Sequence, residues 1–331
     1  MLLALGMVLS MGGCAEKSAE KEEAAAPAET VVEEAASTEK YKHPLLNETL
    51  PMENTDEMGG ADEAAGAYDH PDSKYFVNPD FYNMKNSDSV TILENFAASQ
   101  QTNEYSCGAN AILMSLNYLG IDKYSEYDIS KAAHISTDED SENPEPGTGN
   151  DWGEVGADVK KVVDFVNSIP ELEVIETSYI ENPTEDDLVS AEDVASLEYS
   201  PNMEGNLKKT FSAAALYTSD NDSASENWVS DARDSYFVKW VTNHLENNHP
   251  IIVHTFSWAG HYAVLIGYDD MGTPELGDDM LIFADSYDTS DHWQDGYTYF
   301  SLEEWFYTWS DMNVASKPYQ LQPFVVVGAV E

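Results

Sequence analysis

One cysteine of this chain lies where a thiol can act as a nucleophile. Cys107 begins the segment CGANAILMSLNYL, whose apolar residues have helical spacing and which is closed by Gly120. A thiol attacks an acyl carbon well only as a thiolate, and a helix N-terminus that faces a histidine favours that form. We therefore predict a reactive sulfur at the first residue of a helix. Gly108 beside it has no side chain, which would let the backbone of a substrate approach.

The base and the group that orients it are predicted late in the chain. His261 opens HYAVLIGY, a segment rich in β-branched and aromatic residues that predicts a strand. A base must reach the nucleophile, and a third group should hold its imidazole. Asp285 follows MLIFA, a predicted neighbouring strand, so its carboxylate could face the ring. We predict His261 as the base and Asp285 as the orienting residue.

A negative charge that develops on the attacked carbonyl oxygen needs hydrogen-bond donors. Gln101 stands six residues before Cys107 and can supply its side-chain amide together with the backbone N–H of Cys107. Each assignment has a competitor nearby in the sequence. His254 in PIIVHTF competes with His261 and is interpreted as a packed strand residue or a group behind the site. Asp269 and Asp270 compete with Asp285 and are interpreted as solvated turn carboxylates. Gln100 competes with Gln101 but does not stand six residues before Cys107.

Three of these segments resemble the C39-like cysteine peptidases of papain fold. Residues 101–120, QTNEYSCGANAILMSLNYLG, are similar to the catalytic segment of that family, in which Gln stands six places before a Cys-Gly that opens a helix. Residues 260–270, GHYAVLIGYDD, are similar to the His motif, and residues 281–286 resemble the context of the third catalytic residue. The resemblance implies four roles: Gln101 oxyanion donor, Cys107 nucleophile, His261 base and Asp285 orienting residue.

The chain departs from the family pattern at two places beside the predicted site. The family often has Pro after the Cys-Gly and Pro after the catalytic Asp, where this chain has Ala109 and Ser286. Neither change removes a chemical group of the triad, but both bear on the class of substrate. The central stretch is also longer than a minimal domain of the family, which predicts an insertion within about 125–235.

The order of the predicted elements favours an α+β fold of papain type, with the Cys107 helix packed on an antiparallel sheet. The expected strands cover residues 90–93, 171–180, 250–256, 261–268, 280–284, 296–300 and 323–327, and the expected helices cover 107–119, 155–165, 229–247 and 302–309. Late aromatic residues are interpreted as core and rim rather than as a groove. They are Trp293, Tyr297, Tyr299, Trp305 and Trp309.

The N-terminal part of the chain predicts a membrane anchor and a tether. Residues 1–14 form an apolar run that ends in SMGGC, which resembles a bacterial lipobox with Cys14 as the lipidated residue. Residues 15–74 are acidic, rich in Ala and poor in large apolar side chains, a composition typical of disorder. The peptidase domain is predicted over 75–331. With Cys14 lipidated, Cys107 has no partner for a disulfide.

Charge limits the partners of this chain. With 62 acidic and 15 basic residues, the net charge is -47, which excludes phosphate-rich nucleic acid as a natural partner. No cofactor or metal is predicted, because the spacing of the late carboxylates does not match an EF-hand loop. Those carboxylates are Asp285, Asp288, Asp291 and Asp295.

Together these features predict a lipid-anchored, extracytoplasmic cysteine hydrolase on the bacterial cell membrane that cleaves a peptide or amide bond in a peptide or protein substrate. Two alternatives stay open. One is a non-catalytic papain-fold module for binding or adhesion at the cell surface. The other is a cell-wall peptide amidase or acyl transferase, because such enzymes use the same Cys-His chemistry.

Overall fold

The structure is a computed structural model that describes residues 74, 79–102, 105–135, 156–196, 198–255, 260–288, 295–309 and 318–330. Cys14 with its signal peptide and the predicted tether, apart from residue 74, lie outside the described residues. Asp291 and Trp293 also lie outside them.

An antiparallel sheet of seven strands forms the core of the described domain. Six strands follow the order β2-β7-β3-β4-β5-β6, and β1 pairs with β4 beside this path. Most of the inner strands are buried along nearly their whole length, which explains their continuous apolar runs. The strands are β1 (Val90–Ile92), β2 (Leu172–Thr177), β3 (Ile251–Thr255), β4 (His261–Asp269), β5 (Met280–Ala284), β6 (Tyr297–Ser301) and β7 (Phe324–Ala329).

Strand β4 is the most extensively paired strand. Its first half pairs with β3, its second half pairs with β1, and β5 runs along its other edge. The pairing with β5 changes register between Leu265 and Gly267, so that Ile266 is an extra residue in β4. A Cβ atom on Gly267 would lie 3.0 Å from Cγ1 of Ile92, and glycine therefore permits the close approach of β1.

Helix α1 packs against β4, and its first ten residues are all buried. It ends where Gly120 takes a φ of 83°, a conformation that glycine adopts without strain. The other helices lie around the sheet, and none in the described ranges is long and apolar enough to cross a membrane. The helices are α1 (Cys107–Tyr118), α2 (Glu126–Ala132), α3 (Val159–Asn167), α4 (Ala191–Val194), α5 (Tyr236–Glu246) and α6 (Leu302–Thr308).

A cluster of aromatic side chains fills the core between α5, α6 and β7. Phe211 lies at its centre, with its ring centroid 5.1 Å from that of Phe237 and 6.0 Å from that of Trp309. Trp305 stacks on Trp309 at 4.7 Å, and both are buried. These tryptophans are therefore core residues, as their sequence interpretation favoured.

The polar stretch that follows β2 is held by local hydrogen bonds rather than by apolar periodicity. It contains α4 and short 3-10 turns. Capping boxes at Thr184 and Ser190 stabilise the N-terminal ends of one 3-10 turn and of α4. Isolated β-bridges join Leu188 to Leu207 and Thr218 to Trp228. This explains why the sequence pattern defined few elements here. The 3-10 turns of this stretch are Glu185–Asp187, Ala213–Leu216 and Ala232–Asp234, and a further one, Leu276–Asp278, lies between β4 and β5.

Two predicted helices start later than expected because polar side chains cap them. The Ser235 hydroxyl accepts a hydrogen bond from the backbone N–H of Val238, so α5 begins at Tyr236 rather than at residue 229. Asp158 caps α3 in the same way. The class of fold is as predicted: α+β, with the Cys107 helix packed on an antiparallel sheet.

Candidate active site

Cys107 is the first residue of α1; its thiol is not in a disulfide, and the residue is 6% exposed. The first turn of α1 contains no acidic residue. The sulfur therefore lies at the N-terminal end of α1, the positive end of the helix dipole.

His261 and Asp285 lie side by side at the ends of neighbouring strands. Nε2 of His261 is 2.6 Å from Oδ1 of Asp285, and both side chains are largely buried. The pairing of Leu265 with Phe283 puts His261 and Asp285 on the same face of the sheet, because side chains alternate along each strand. The Asp285 carboxylate also accepts a hydrogen bond from the backbone N–H of Tyr287 at 2.9 Å, which fixes its orientation.

The Asp285 carboxylate determines the charge of the His261 ring. Burial lowers the pKa of His261, but the charge and hydrogen bond of Asp285, together with a hydrogen bond to the Cys107 side chain, outweigh it and raise that pKa to about 10. The ring is therefore an imidazolium at neutral pH. Because Nε2 faces Asp285, Nδ1 is the ring nitrogen that remains for the sulfur. The structure thus brings Cys107, His261 and Asp285 together.

Gln101 is buried beside these residues and is held at two points by Ser286. Its backbone N–H donates to the Ser286 carbonyl at 3.0 Å, and its Oε1 accepts a hydrogen bond from the Ser286 hydroxyl at 2.8 Å. The segment before it is anchored by the Tyr297 hydroxyl, which donates to the Phe96 carbonyl at 2.7 Å and accepts from the N–H of Ala98 at 3.2 Å. Gln100 is less buried than its neighbour.

Glu126 is a residue of this region that sequence reasoning missed. It is fully buried, and its Oε1 accepts hydrogen bonds from the backbone N–H and the hydroxyl of Thr102 at 3.1 and 3.2 Å. Burial raises the pKa of Glu126, and hydrogen bonds from Ser106, Thr102 and Asn110 oppose the rise. Its carboxyl group therefore connects the residue after Gln101 with the residue before Cys107. One glutamate among 62 acidic residues gave no signal of this role.

The environment of Gly108 differs from the sequence interpretation. A Cβ atom there would lie 3.1 Å from Cβ of Ala157 and 3.3 Å from Cδ2 of Tyr262. Glycine thus allows α1 to pack closely against these residues, and the expected opening for a substrate backbone is not the reason for it.

The competing residues have other surroundings. His254 lies on β3, and its ring centroid is 4.2 Å from that of Tyr262. Gly260, with a φ of 115°, leaves room for that ring, since its Cβ would lie 3.2 Å from Cε1 of His254. Asp269 accepts a hydrogen bond from a turn N–H, whereas Asp270 is buried in an ion pair with Arg233 and is not the solvated carboxylate that was expected.

Comparison with known families identifies the domain. A family model described as the Peptidase_C39 like family matches residues 93–313. The chain belongs to this family. A search of curated proteins found no match. The matched range contains all four predicted site residues, and the C39-like fold expected from the sequence is confirmed. Membership of the family points to a function like that of a cysteine peptidase.

Within this C39-like domain, the late carboxylates make local hydrogen bonds. Oδ2 of Asp288 accepts from the backbone N–H of Gly296 at 3.1 Å, and Oδ1 of Asp295 accepts from that of Tyr297 at 3.1 Å. Across the described ranges, no group of three or more His, Cys, Asp or Glu side chains is placed to hold a metal ion.

Proposed function

We propose that this protein is a cysteine peptidase that hydrolyses a peptide or amide bond with Cys107 as nucleophile, His261 as acid and base, Asp285 as the orienting residue and Gln101 as oxyanion donor. The observation that carries the proposal is the buried His261–Asp285 hydrogen bond of 2.6 Å, together with the hydrogen bond between the Cys107 side chain and the same imidazole. Such a nucleophile, base and orienting group is the arrangement that acyl transfer requires.

Acylation begins from the thiolate and the imidazolium. The sulfur of Cys107 attacks the carbonyl carbon, a C–S bond forms, and the carbonyl π electrons move onto the oxygen. The side-chain amide of Gln101 and the backbone N–H of Cys107 donate hydrogen bonds to this oxyanion. When the tetrahedral intermediate collapses, the C–N bond breaks and the His261 imidazolium gives the Nδ1 proton to the leaving amine. A thioester and a neutral imidazole remain.

Deacylation returns both groups to their starting states. The imidazole of His261 takes a proton from water as the water oxygen attacks the thioester carbon. The second tetrahedral intermediate expels the sulfur of Cys107 as a thiolate, and the acid product leaves. The Asp285 carboxylate holds the ring and stabilises the imidazolium at both stages without taking the proton.

The first test measures the reactivity of Cys107 in the full chain. Wild type is treated with iodoacetamide at pH 6, with glutathione in the same tube as an ordinary thiol, and the Cys107 peptide is quantified by mass spectrometry. An imidazolium-stabilised thiolate should be alkylated at least about 10-fold faster than glutathione. His261→Gln should abolish that advantage. Alkylation of wild type no faster than glutathione would contradict the proposal and favour the binding or adhesion module.

The second test identifies the substrate class. Wild type and Cys107→Ala are incubated with a peptide library, fluorescein-labelled casein and muropeptides, and products are analysed by mass spectrometry. Cleavage of unmodified peptides by wild type alone supports a peptidase. Cleavage or transfer restricted to muropeptides would support the cell-wall amidase or acyl transferase instead.

We further propose an extracytoplasmic site of action, with Cys14 lipidated and the protein anchored in the bacterial cell membrane by that lipid. The SMGGC sequence and the acidic, apolar-poor residues after it support this. Metabolic labelling with an alkyne fatty acid should mark the wild type and not Cys14→Ala. Equal labelling of both, or of neither, would contradict the anchor and leave the peptidase proposal intact.

A further inference from the structure

We propose that Ser286 is a positioning residue for the reaction: its hydroxyl holds the Gln101 carboxamide so that the amino group faces the developing oxyanion. This inference rests on the proposed function.

Two short, buried hydrogen bonds join Ser286 and Gln101. The Ser286 hydroxyl donates to Oε1 of Gln101 at 2.8 Å, and the Gln101 N–H donates to the Ser286 carbonyl at 3.0 Å. The side chains are 1% and 2% exposed, so water does not compete for either group. A pair of bonds between segments 185 positions apart fixes both the backbone of Gln101 and the rotation of its side chain.

The orientation of the carboxamide matters because its two ends have opposite roles. The amino group can donate to an oxyanion, whereas Oε1 would repel it. Because Oε1 accepts the hydrogen bond from Ser286, the amino group Nε2 points away from Ser286. Loss of that bond removes one restraint on the last torsion of the amide, which has a broad, two-fold preference, so the donor is held less firmly in advance of the reaction.

One turn of the chain therefore positions two reacting groups. Asp285 holds the imidazole of His261, and the next residue, Ser286, holds Gln101. The acid-base group and the oxyanion donor are thus both held by the same short segment of backbone. Accurate relative placement of such groups is a large part of what an active site contributes to rate.

The test compares Ser286→Ala, Ser286→Thr, Gln101→Ala and the double variant in the full chain, using the peptide that wild type cleaves fastest. Loss of an oxyanion donor costs about 100-fold or more in kcat, and we expect Ser286→Ala to lose about 10-fold with KM within about twofold. Ser286→Thr should restore most of the loss. The double variant should be no slower than Gln101→Ala, because both changes remove one function.

Two controls separate positioning from general damage. Ser115→Ala removes another buried hydroxyl, on α1, and should leave kcat unchanged. Alkylation of Cys107 by iodoacetamide should be equally fast in wild type and Ser286→Ala, since it needs no oxyanion donor.

Full activity of Ser286→Ala, or additive losses in the double variant, would overturn the inference while the proposed function stands. Slower alkylation in Ser286→Ala would also overturn it, by showing that the residue acts through Cys107 and His261. A wild type that is rapidly alkylated but cleaves nothing would instead overturn the proposed function, and this inference with it.

Discussion

Asp285→Asn is the substitution that most directly tests the electrostatics of the site. Asparagine has nearly the same shape as aspartate and keeps an Oδ1 that can accept from His261 and from the N–H of Tyr287. The ring should therefore stay in place. What the substitution removes is the negative charge 2.6 Å from Nε2.

The size of the effect follows from that geometry. A carboxylate and an imidazolium in hydrogen-bond contact have charge centres about 4 Å apart, and at an effective dielectric constant of about 20 their attraction is about 4 kcal/mol. Each 1.4 kcal/mol corresponds to about one pKa unit. Loss of the charge should therefore lower the pKa of His261 by about 3 units, from about 10 towards about 7.

The pKa of His261 can be measured by NMR titration of protein labelled with ¹⁵N-histidine, with His261→Gln to assign the signal. The alkaline limb of kcat/KM should move down with it, because only the imidazolium can protonate the leaving amine. Asp269→Asn, the same change at a turn carboxylate, is the matched control and should leave both profiles in place. A His261 pKa that moves by less than about one unit in Asp285→Asn would refute the assignment of Asp285 as its main electrostatic partner.

The same pair should make folding stability depend on pH. A histidine whose pKa rises from 6.5 to about 10 on folding binds its proton more tightly in the folded state. Its contribution is therefore fully present below pH 6.5 and is lost as the pH rises towards 10. Urea unfolding at a series of pH values should show this loss in wild type and a much weaker one in Asp285→Asn. Parallel curves would contradict the pairing.

Three further substitutions test the structure around the site. Burial raises the pKa of Glu126 above its usual 4.5, so this carboxyl makes wild type less stable as the pH rises above 4.5; Glu126→Gln should weaken that fall in stability in urea unfolding, and an unchanged slope would contradict the burial. Phe211→Ala should lower the free energy of unfolding by about 3–5 kcal/mol because it opens a cavity in the aromatic cluster, and a loss under about 1 kcal/mol would mean that the cluster is not packed as described. Ser125→Ala removes the α2 capping box and should cost about 1 kcal/mol in the same assay, whereas no measurable loss would indicate that water replaces the cap.

The parts of the fold that the sequence predicted well are those whose apolar pattern is continuous. Strand β5, MLIFA, has the expected bounds because it is an apolar run between turn residues. Helix α1 begins at Cys107 as expected, and Gly120 gives a clear end signal. Both elements are mostly buried, so the pattern and the packing agree.

The less predictable parts depend on polar contacts between distant segments. In the stretch around α4 there is no apolar periodicity, and isolated β-bridges join residues that no single window of sequence brings together. Asp270 was expected in solvent because it follows a strand in a turn, but Arg233 pairs with it and makes its burial tolerable.

For the site, the sequence could indicate candidate residues but not the contacts that hold them. The family motif and the neighbouring strands led to the expectation that His261 and Asp285 would meet, and the structure brings them together; their catalytic roles stay predictions. The hydroxyl of Ser286 on Gln101 and the carboxyl of Glu126 beneath Thr102 are long-range hydrogen bonds, which residue type and spacing do not encode.

The extra residue in β4 determines which insertions and deletions this fold can accept. Ile266 lies between the half of the strand that carries His261 and the half that is anchored against β1. Deleting one residue between His261 and Leu265 would turn the imidazole to the opposite surface of the sheet, away from Asp285, because Leu265 stays opposite Phe283. Deleting Ile266 itself would only remove the bulge, because Leu265 and Gly267 already pair with the adjacent residues Phe283 and Ile282. Residues added to the exposed hairpin loop near Gly272 would not change which face of the sheet each side chain of β4 occupies. Natural variation in chain length is therefore expected in this loop and at Ile266, and not in the part of β4 between His261 and Leu265.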